Sequence, residues 1–338
     1  MKKFITLILS LLLLLVSLFS FGCKTETQSD KLQLYAPDGA PALSVARLIH
    51  DKKAVGEVKN NVVNASAIQT FVTGEKPKAD FCIMPVNAAV KLLGNASRYQ
   101  MLGVVTHGNL FIMKKATGEQ ITKANLTDLL GKKVGVINLA NVPGLTFKAI
   151  LNDASIEYVD ITESGAVYAN KVNLIALANG QAVTPQADCD YFVVPEPAAT
   201  TKENATQGKL SIAGSLQELY GEGQGYPQAV LVAKKSVIQD KPEVVAKLVN
   251  SFSQNQSWLT DSQTSMNDVV NAVQSALGED VTPTFNANNL NLTVIGNCAI
   301  SFRSASLEKT AVLDYMTKIN AITNGAWGTP ANDFFLVG

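Results

Sequence analysis

The chain carries few reactive side chains. Its 338 residues include two His, His50 and His107, and four Cys. There is no Gly-x-x-x-x-Gly-Lys-Ser/Thr phosphate loop, no Gly-x-Ser-x-Gly elbow and no His-Glu-x-x-His pair. A Ser-His-Asp triad would need one of the two His beside an activated Ser, and neither lies in such a context. The Cys spacings match no zinc pattern. These residues predict recognition of a small molecule rather than catalysis, with no metal site and no cofactor.

The candidates for contact are small or polar residues placed where apolar runs end. Asp38, Gly39, Ala40 and Pro41 follow the run at 32–35, and small residues there let backbone approach a ligand closely. Asp38 alone reads equally as a helix cap. Asn87, two residues after Pro85, offers a neutral amide to a ligand or to a helix end. Thr106 and His107 interrupt a long apolar run, as ligand contacts or as satisfied structural residues. Leu139 and Asn141 belong to a loop whose backbone N–H groups precede a helix. Glu196 would favour a cationic or N–H-rich ligand, or else is a first-turn acid on a favourable dipole. Tyr226, beside Pro227, stacks on a ring or packs the hinge. Arg303 reads as surface, Trp258 as packing, and Trp327 as the residue that docks a Gly/Pro-rich tail. Glu196, Asn87, Asn141 and Tyr226 together lean toward a neutral or cationic heterocycle, because the sequence places no Arg or Lys securely among them.

Strands alternating with helices must position these residues. Runs at 32–35, 81–84, 134–137 and 191–194 are short and apolar throughout, as expected of strands buried on both faces. Residues 242–258 repeat Val245, Leu248, Val249 and Phe252 along one helical stripe. The alternation predicts a mostly parallel α/β sheet. An internal duplication sharpens this. Asp80-Phe-Cys-Ile-Met-Pro85 and Asp190-Tyr-Phe-Val-Val-Pro195 share one frame, each followed by an Ala pair. Upstream, 34–43 and 136–145 place strand, loop, Pro and Leu at the same offsets. Two matches in the same order predict two similar lobes. Pro at a strand end cannot extend the ladder and suits a helix's first turn. In such sheets ligands bind outside the carboxyl ends of the strands. The apolar runs at 102–113 and 226–233 are the two crossings between lobes.

Composition bounds the rest. A formal charge of zero argues against a nucleic-acid partner. The 47% hydrophobic and 17% charged content argues against disorder. Lys2 and Lys3, the apolar run 4–21, and then Gly22-Cys23 before polar KTETQSD form an export signal. Cys23 sits where a bacterial lipoprotein is cut and lipidated, which would leave a signal peptide (1–22), a tether (23–30) and a slightly acidic, lipid-anchored chain outside the cytoplasm. The alternatives, an uncleaved anchor or an ordinary signal cut nearby, also export the rest. Cys82, Cys189 and Cys298 lie in apolar contexts and read as buried, inert thiols.

The segments LYAPDGAPALSVARLI, DFCIMPVNAAVKL, KKVGVINLANVPG, DYFVVPEPAA and YPQAVLVAKKSV, with the lipoprotein start, resemble the extracytoplasmic substrate-binding proteins of ABC importers. More narrowly the chain is similar to the NitT/TauT and NMT1/THI5-like group, whose members bind nitrate, sulfonates or thiamine-pyrimidine precursors. The resemblance implies an α/β type II periplasmic-binding fold: two lobes, each a mostly parallel sheet flanked by helices, a central cleft and two hinge strands. Residues 31–112 plus 230–338 would form the first lobe and 113–229 the second. It also implies a monomer, a small-molecule ligand such as a pyrimidine or thiamine precursor, and ABC permease and ATPase partners. A sensory surface lipoprotein, or a receptor for a small anion such as a sulfonate or nitrate, is the alternative. Enzymes share this fold, but the Cys-rich motif of the yeast-type pyrimidine synthase is absent.

Overall fold

The computed structural model describes residues 31–115 and 118–337. The signal, the tether and Cys23 lie outside the described residues. From residue 31 the chain forms strand β1 (Leu32–Pro37), helices α1 (Ala40–Leu43) and α2 (Ala46–His50), β2 (Val58–Val63), β3 (Phe81–Pro85), α3 (Val86–Leu93) and β4 (Tyr99–Thr106). It crosses to β5 (Leu110–Lys115), β6 (Lys133–Ile137), α4 (Val142–Asp153), β7 (Tyr158–Ile161), β8 (Val172–Leu177), β9 (Tyr191–Pro195), α5 (Ala198–Thr206) and β10 (Leu210–Ser215). It returns through α6 (Leu216–Leu219) to β11 (Ala229–Lys234), then α7 (Lys235–Asp240), α8 (Pro242–Thr260), α9 (Met266–Ser275), α10 (Leu292–Asn297), β12 (Ile300–Ser304) and α11 (Ala305–Ile322).

Two six-stranded sheets result, ordered β12-β4-β11-β3-β1-β2 and β10-β5-β9-β6-β8-β7. Two pairs of matching strands, β1 with β6 and β3 with β9, are the ones the duplication relates, and the structure adds a third, β2 with β8. These pair in parallel within each sheet. The sheets, expected to be mostly parallel, are mixed. β11 runs antiparallel to β3 and β4, and β5 antiparallel to β9 and β10, because each enters its sheet from the crossing side. The two-lobed α/β periplasmic-binding fold is thereby formed.

The repeated Asp has a structural reason. Asp80 accepts from the Gln33 N–H through its side chain (2.8 Å) and donates its own N–H to the Gln33 carbonyl (2.9 Å). Asp190 makes the same two bonds to Lys133, at 2.8 and 2.9 Å. Each Asp thus pins the amino end of its strand to the neighbouring strand.

The apolar runs are explained by burial on both faces. Phe81 and Ile83 pack with the helices on one side, α8 and α9 among them, while Cys82 and Met84 enter the core on the other. That second core runs without a break from the first sheet into the second, through Leu110, Val136, Phe147, Tyr226 and Tyr315.

The long apolar run at 102–113 is not one strand. It breaks at residues 107–109, where Gly108 takes φ +110° and a Cβ would lie 2.8 Å from the Tyr226 ring. The expected lobe boundary at 112/113 therefore falls inside β5, whose Leu110–Ile112 segment already pairs with β9. On the return, Ala229 already belongs to β11. Among the described residues no helix is long and apolar enough to cross a membrane.

Candidate functional site

The carboxyl ends of β1, β3, β6 and β9 converge from both sheets on one cavity of about 490 Å³. Pro37, Pro85 and Pro195 end three of those strands at its wall, and Asn138 follows the fourth. The volume falls within the roughly 300–1,000 Å³ of small-molecule sites. The amino ends of α3 and α4 reach it through Asn87, Ala88, Val142 and Pro143, so free backbone N–H groups and the positive ends of two helix dipoles face it. The 3₁₀ turn Ala65–Phe71, the crossing residues Asn109 and Gln228, and Trp327 complete the lining.

Of the residues expected from sequence, Asp38, Pro41, Asn87 and Asn141 come together here. Asp38 Oδ2 accepts from the N–H and hydroxyl of Thr284, at 2.8 and 2.5 Å. Its Oδ1 is buried and has no hydrogen-bond partner among the described residues. Asn87 is 2% exposed, yet its Oδ1 also has no partner. Asn141 occupies the amino cap of α4 without capping it through its side chain. Gln228 holds Asn109 Oδ1 through Nε2 (2.6 Å), and its Oε1 is buried and unpartnered. Trp327 Nε1 is in the same position. Among the described residues, Asp38 is the one acidic residue of the lining, and no Lys, Arg or His belongs to it.

The other expected residues lie elsewhere. Gly39 and Ala40 form the turn into α1 without reaching the cavity wall. Leu139 is buried in the shared core. Thr106 is fully buried at the end of β4, and its carbonyl accepts from the Gln228 N–H. His107 is held beneath the cleft: Nδ1 lies 2.9 Å from the Ser301 hydroxyl and Nε2 3.6 Å from Glu308. Glu196 is spent on structure. It accepts from the Thr200 N–H and hydroxyl at the start of α5 and from Asn297 Nδ2 (2.6 Å), a bond that joins the two lobes. Tyr226 stacks on Tyr315 with ring centroids 6.1 Å apart, inside the core rather than on a ligand.

Sequence reasoning missed Gln69, Asn109, Asn138, Gln228 and Trp327. Asn138 carried one signal, an Asn directly after an apolar run, and it adopts the left-handed φ of +56° that Asn tolerates. Trp327 carried none. The thiols take no part: Cys82, Cys189 and Cys298 are free and buried, and burial pushes Cys189 up to about 11 and the other two further. Among the described residues no three His, Cys, Asp or Glu side chains come together as metal ligands.

Cleft position, twin sheets and two crossings define the architecture as that of two-lobed periplasmic binding proteins. No protein-family profile matches the sequence, and no curated protein matches it. Solved structures do. An ABC transporter protein from Parabacteroides distasonis superposes with a TM-score of 0.68 at 15% identity, over 91% of this chain and 99% of that one. The periplasmic aliphatic sulphonate-binding protein of Escherichia coli gives 0.59 at 12% identity, over 91% and 94%. The ligand-binding component of an ABC-type import system from Staphylococcus aureus, solved with zinc bound, gives 0.57 at 13%, over 91% and 96%. At such identities the likeness is one of fold.

Proposed function

We propose that this protein is the extracytoplasmic solute receptor of an ABC importer, anchored through a lipid on Cys23, binding rather than transforming its ligand. The observation that carries the reading is the single cleft onto which both sheets direct their strand carboxyl ends and helix amino ends. Among its neighbours in structure are the ligand-binding component of an ABC-type import system and a periplasmic sulphonate-binding protein, which accords with this role. The lobes would move about residues 107–109 and 216–228, and closure would present one combined surface to a permease and its ATPase.

The ligand within this reading is a small neutral or cationic heterocycle of the pyrimidine or thiamine-precursor kind. A carboxylate and side-chain amides line the cleft, and among the described residues the lining itself holds no cationic side chain. Native mass spectrometry of the mature protein, purified without unfolding, tests the receptor reading. A small mass that leaves on denaturation is expected, together with an acyl mass on Cys23. A protein that carries no small molecule and whose melting point is unmoved by pyrimidines, sulfonates and nitrate alike would shift the weight to a sensory surface role.

A further inference from the structure

We propose that Trp327 is a ligand-contact residue, and that the cleft selects a molecule offering at least one hydrogen-bond donor and one acceptor and bearing no net negative charge. This deepens the receptor reading above and rests on it.

The tail that delivers Trp327 is firmly tied to the first lobe. Asn320, at the end of α11, accepts from the Trp327 N–H through its side chain (3.0 Å) and holds the Gly328 carbonyl (2.7 Å). Beyond it, the Ala331 N–H donates to the Gly94 carbonyl (2.7 Å) and the Leu336 N–H to the Met101 carbonyl (2.9 Å). Between those two bonds Phe334 and Phe335 are buried in the core. The tail therefore needs no help from the indole N–H to stay in place. Lys91 lies 5.1 Å over the ring, which leaves the N–H edge as the unserved part of the side chain.

Four buried polar atoms of the lining have no hydrogen-bond partner among the described residues: Asp38 Oδ1, Asn87 Oδ1, Gln228 Oε1 and Trp327 Nε1. Two of them are amide oxygens: the Asn87 amide can present either end, whereas Gln228 Nε2 is committed to Asn109 Oδ1, which leaves its Oε1 as an acceptor. The other two cannot reverse. An ionised carboxylate only accepts and an indole N–H only donates. They fix the polarity of the site at two points, Gln228 Oε1 adds a further acceptor, and Asn87 adapts around them. A complementary ligand gives an N–H to Asp38 and takes one from Trp327. An amino-substituted heterocycle or a cyclic amide meets both demands. Nitrate and alkyl sulfonates offer no donor to Asp38, and their charge would meet a carboxylate with no cation in the lining.

The test uses the mature chain with Trp258→Phe, which leaves Trp327 as the only Trp. Trp258 packs against His50 and does not line the cleft. Cytosine, adenine and creatinine are the donor–acceptor probes; nitrate and methanesulfonate are the anions, all at millimolar concentration. At least one of the first three should raise the melting point and change Trp327 emission. Trp327→Phe, which keeps a ring but removes the N–H, and the nearly isosteric Asp38→Asn should each weaken that probe about tenfold or more. If Trp327→Phe proves misfolded by its own melting curve, Asp38→Asn decides. Unchanged affinity in the deciding variant, or no response to any donor–acceptor probe, overturns the proposal. A response to nitrate or methanesulfonate also overturns it but leaves the receptor reading standing, whereas silence from both sets counts against both.

Discussion

Asp80 and Asp190 do one job in two lobes, and their surroundings make the job unequal in value. Both accept a backbone N–H from the adjacent strand, but Asp80 is also paired with Lys234 at 2.9 Å in a half-buried setting. Removing either carboxylate leaves a strand-end N–H to water or to nothing, at a cost of about 1–3 kcal/mol where it stays buried. Asp80→Ala should therefore lower the unfolding free energy by about 2 kcal/mol, and Asp190→Ala, whose side chain faces solvent, by clearly less. Urea unfolding of the two variants decides it; equal losses would mean the ion pair with Lys234 contributes nothing. Single residues were legible where their reason was local. The Asp and Pro of each repeat are set by strand ends, and Asp38, Pro41, Asn87 and Asn141 by strand–helix junctions. Glu196 and Tyr226 sit at equally suggestive places, yet their partners, Asn297 and Tyr315, come from more than eighty residues away and turn them inward. For Glu196 the local sequence announces only the bonds to Thr200 at the start of α5, and for Tyr226 it does not announce the stack on Tyr315.

At the scale of elements, the strands were readable because burial on both faces leaves an unbroken apolar run, while the crossing was not. Residues 102–113 look like one strand, since the break depends on Gly108 and on what lies against it. Gly225, at φ +81°, lies across from it, and a Cβ there would meet the His107 carbonyl at 2.2 Å. The two crossings are thus sewn together at positions that admit only glycine. Beneath them, α11 contributes Glu308 to His107, and Arg303 reaches the same carboxylate from β12. Burial pushes the Glu308 carboxyl up, but the His107 ring 3.6 Å away and the Arg303 guanidinium, which donates a hydrogen bond at 3.4 Å, outweigh it and hold the group below the ordinary value of 4.5. A carboxylate with a lowered folded value stabilises the fold above its unfolded value and loses that contribution as pH falls through the folded one. The melting point should therefore drop as pH falls below about 4.5, and Glu308→Gln should flatten that part of the profile while lowering the neutral plateau. A variant whose acid profile parallels the parent's would show that other carboxylates govern acid unfolding.

For the whole molecule, two lobes need not mean two folding units. One core extends from the first sheet through the crossings into the second. Helix α11 is shared by both: it packs on β4 in one lobe, and Tyr315 reaches α4 in the other, where its hydroxyl lies 2.9 Å from the fully buried Thr146 hydroxyl. Lys318 adds an ion pair to Asp153 at the end of α4 (2.8 Å). Opening the cleft must therefore bend the crossings while α11 keeps its hold, and unfolding one lobe strips apolar surface from the other. Calorimetry should show one transition, with calorimetric and van't Hoff enthalpies in agreement. Tyr315→Ala should lower stability by about 3–5 kcal/mol, as the loss of a fully buried large ring does, and should begin to separate the transition in two. A parent protein that already melts in two resolved steps would show that the continuous core does not couple the lobes, and that closure and folding are governed by separate contacts.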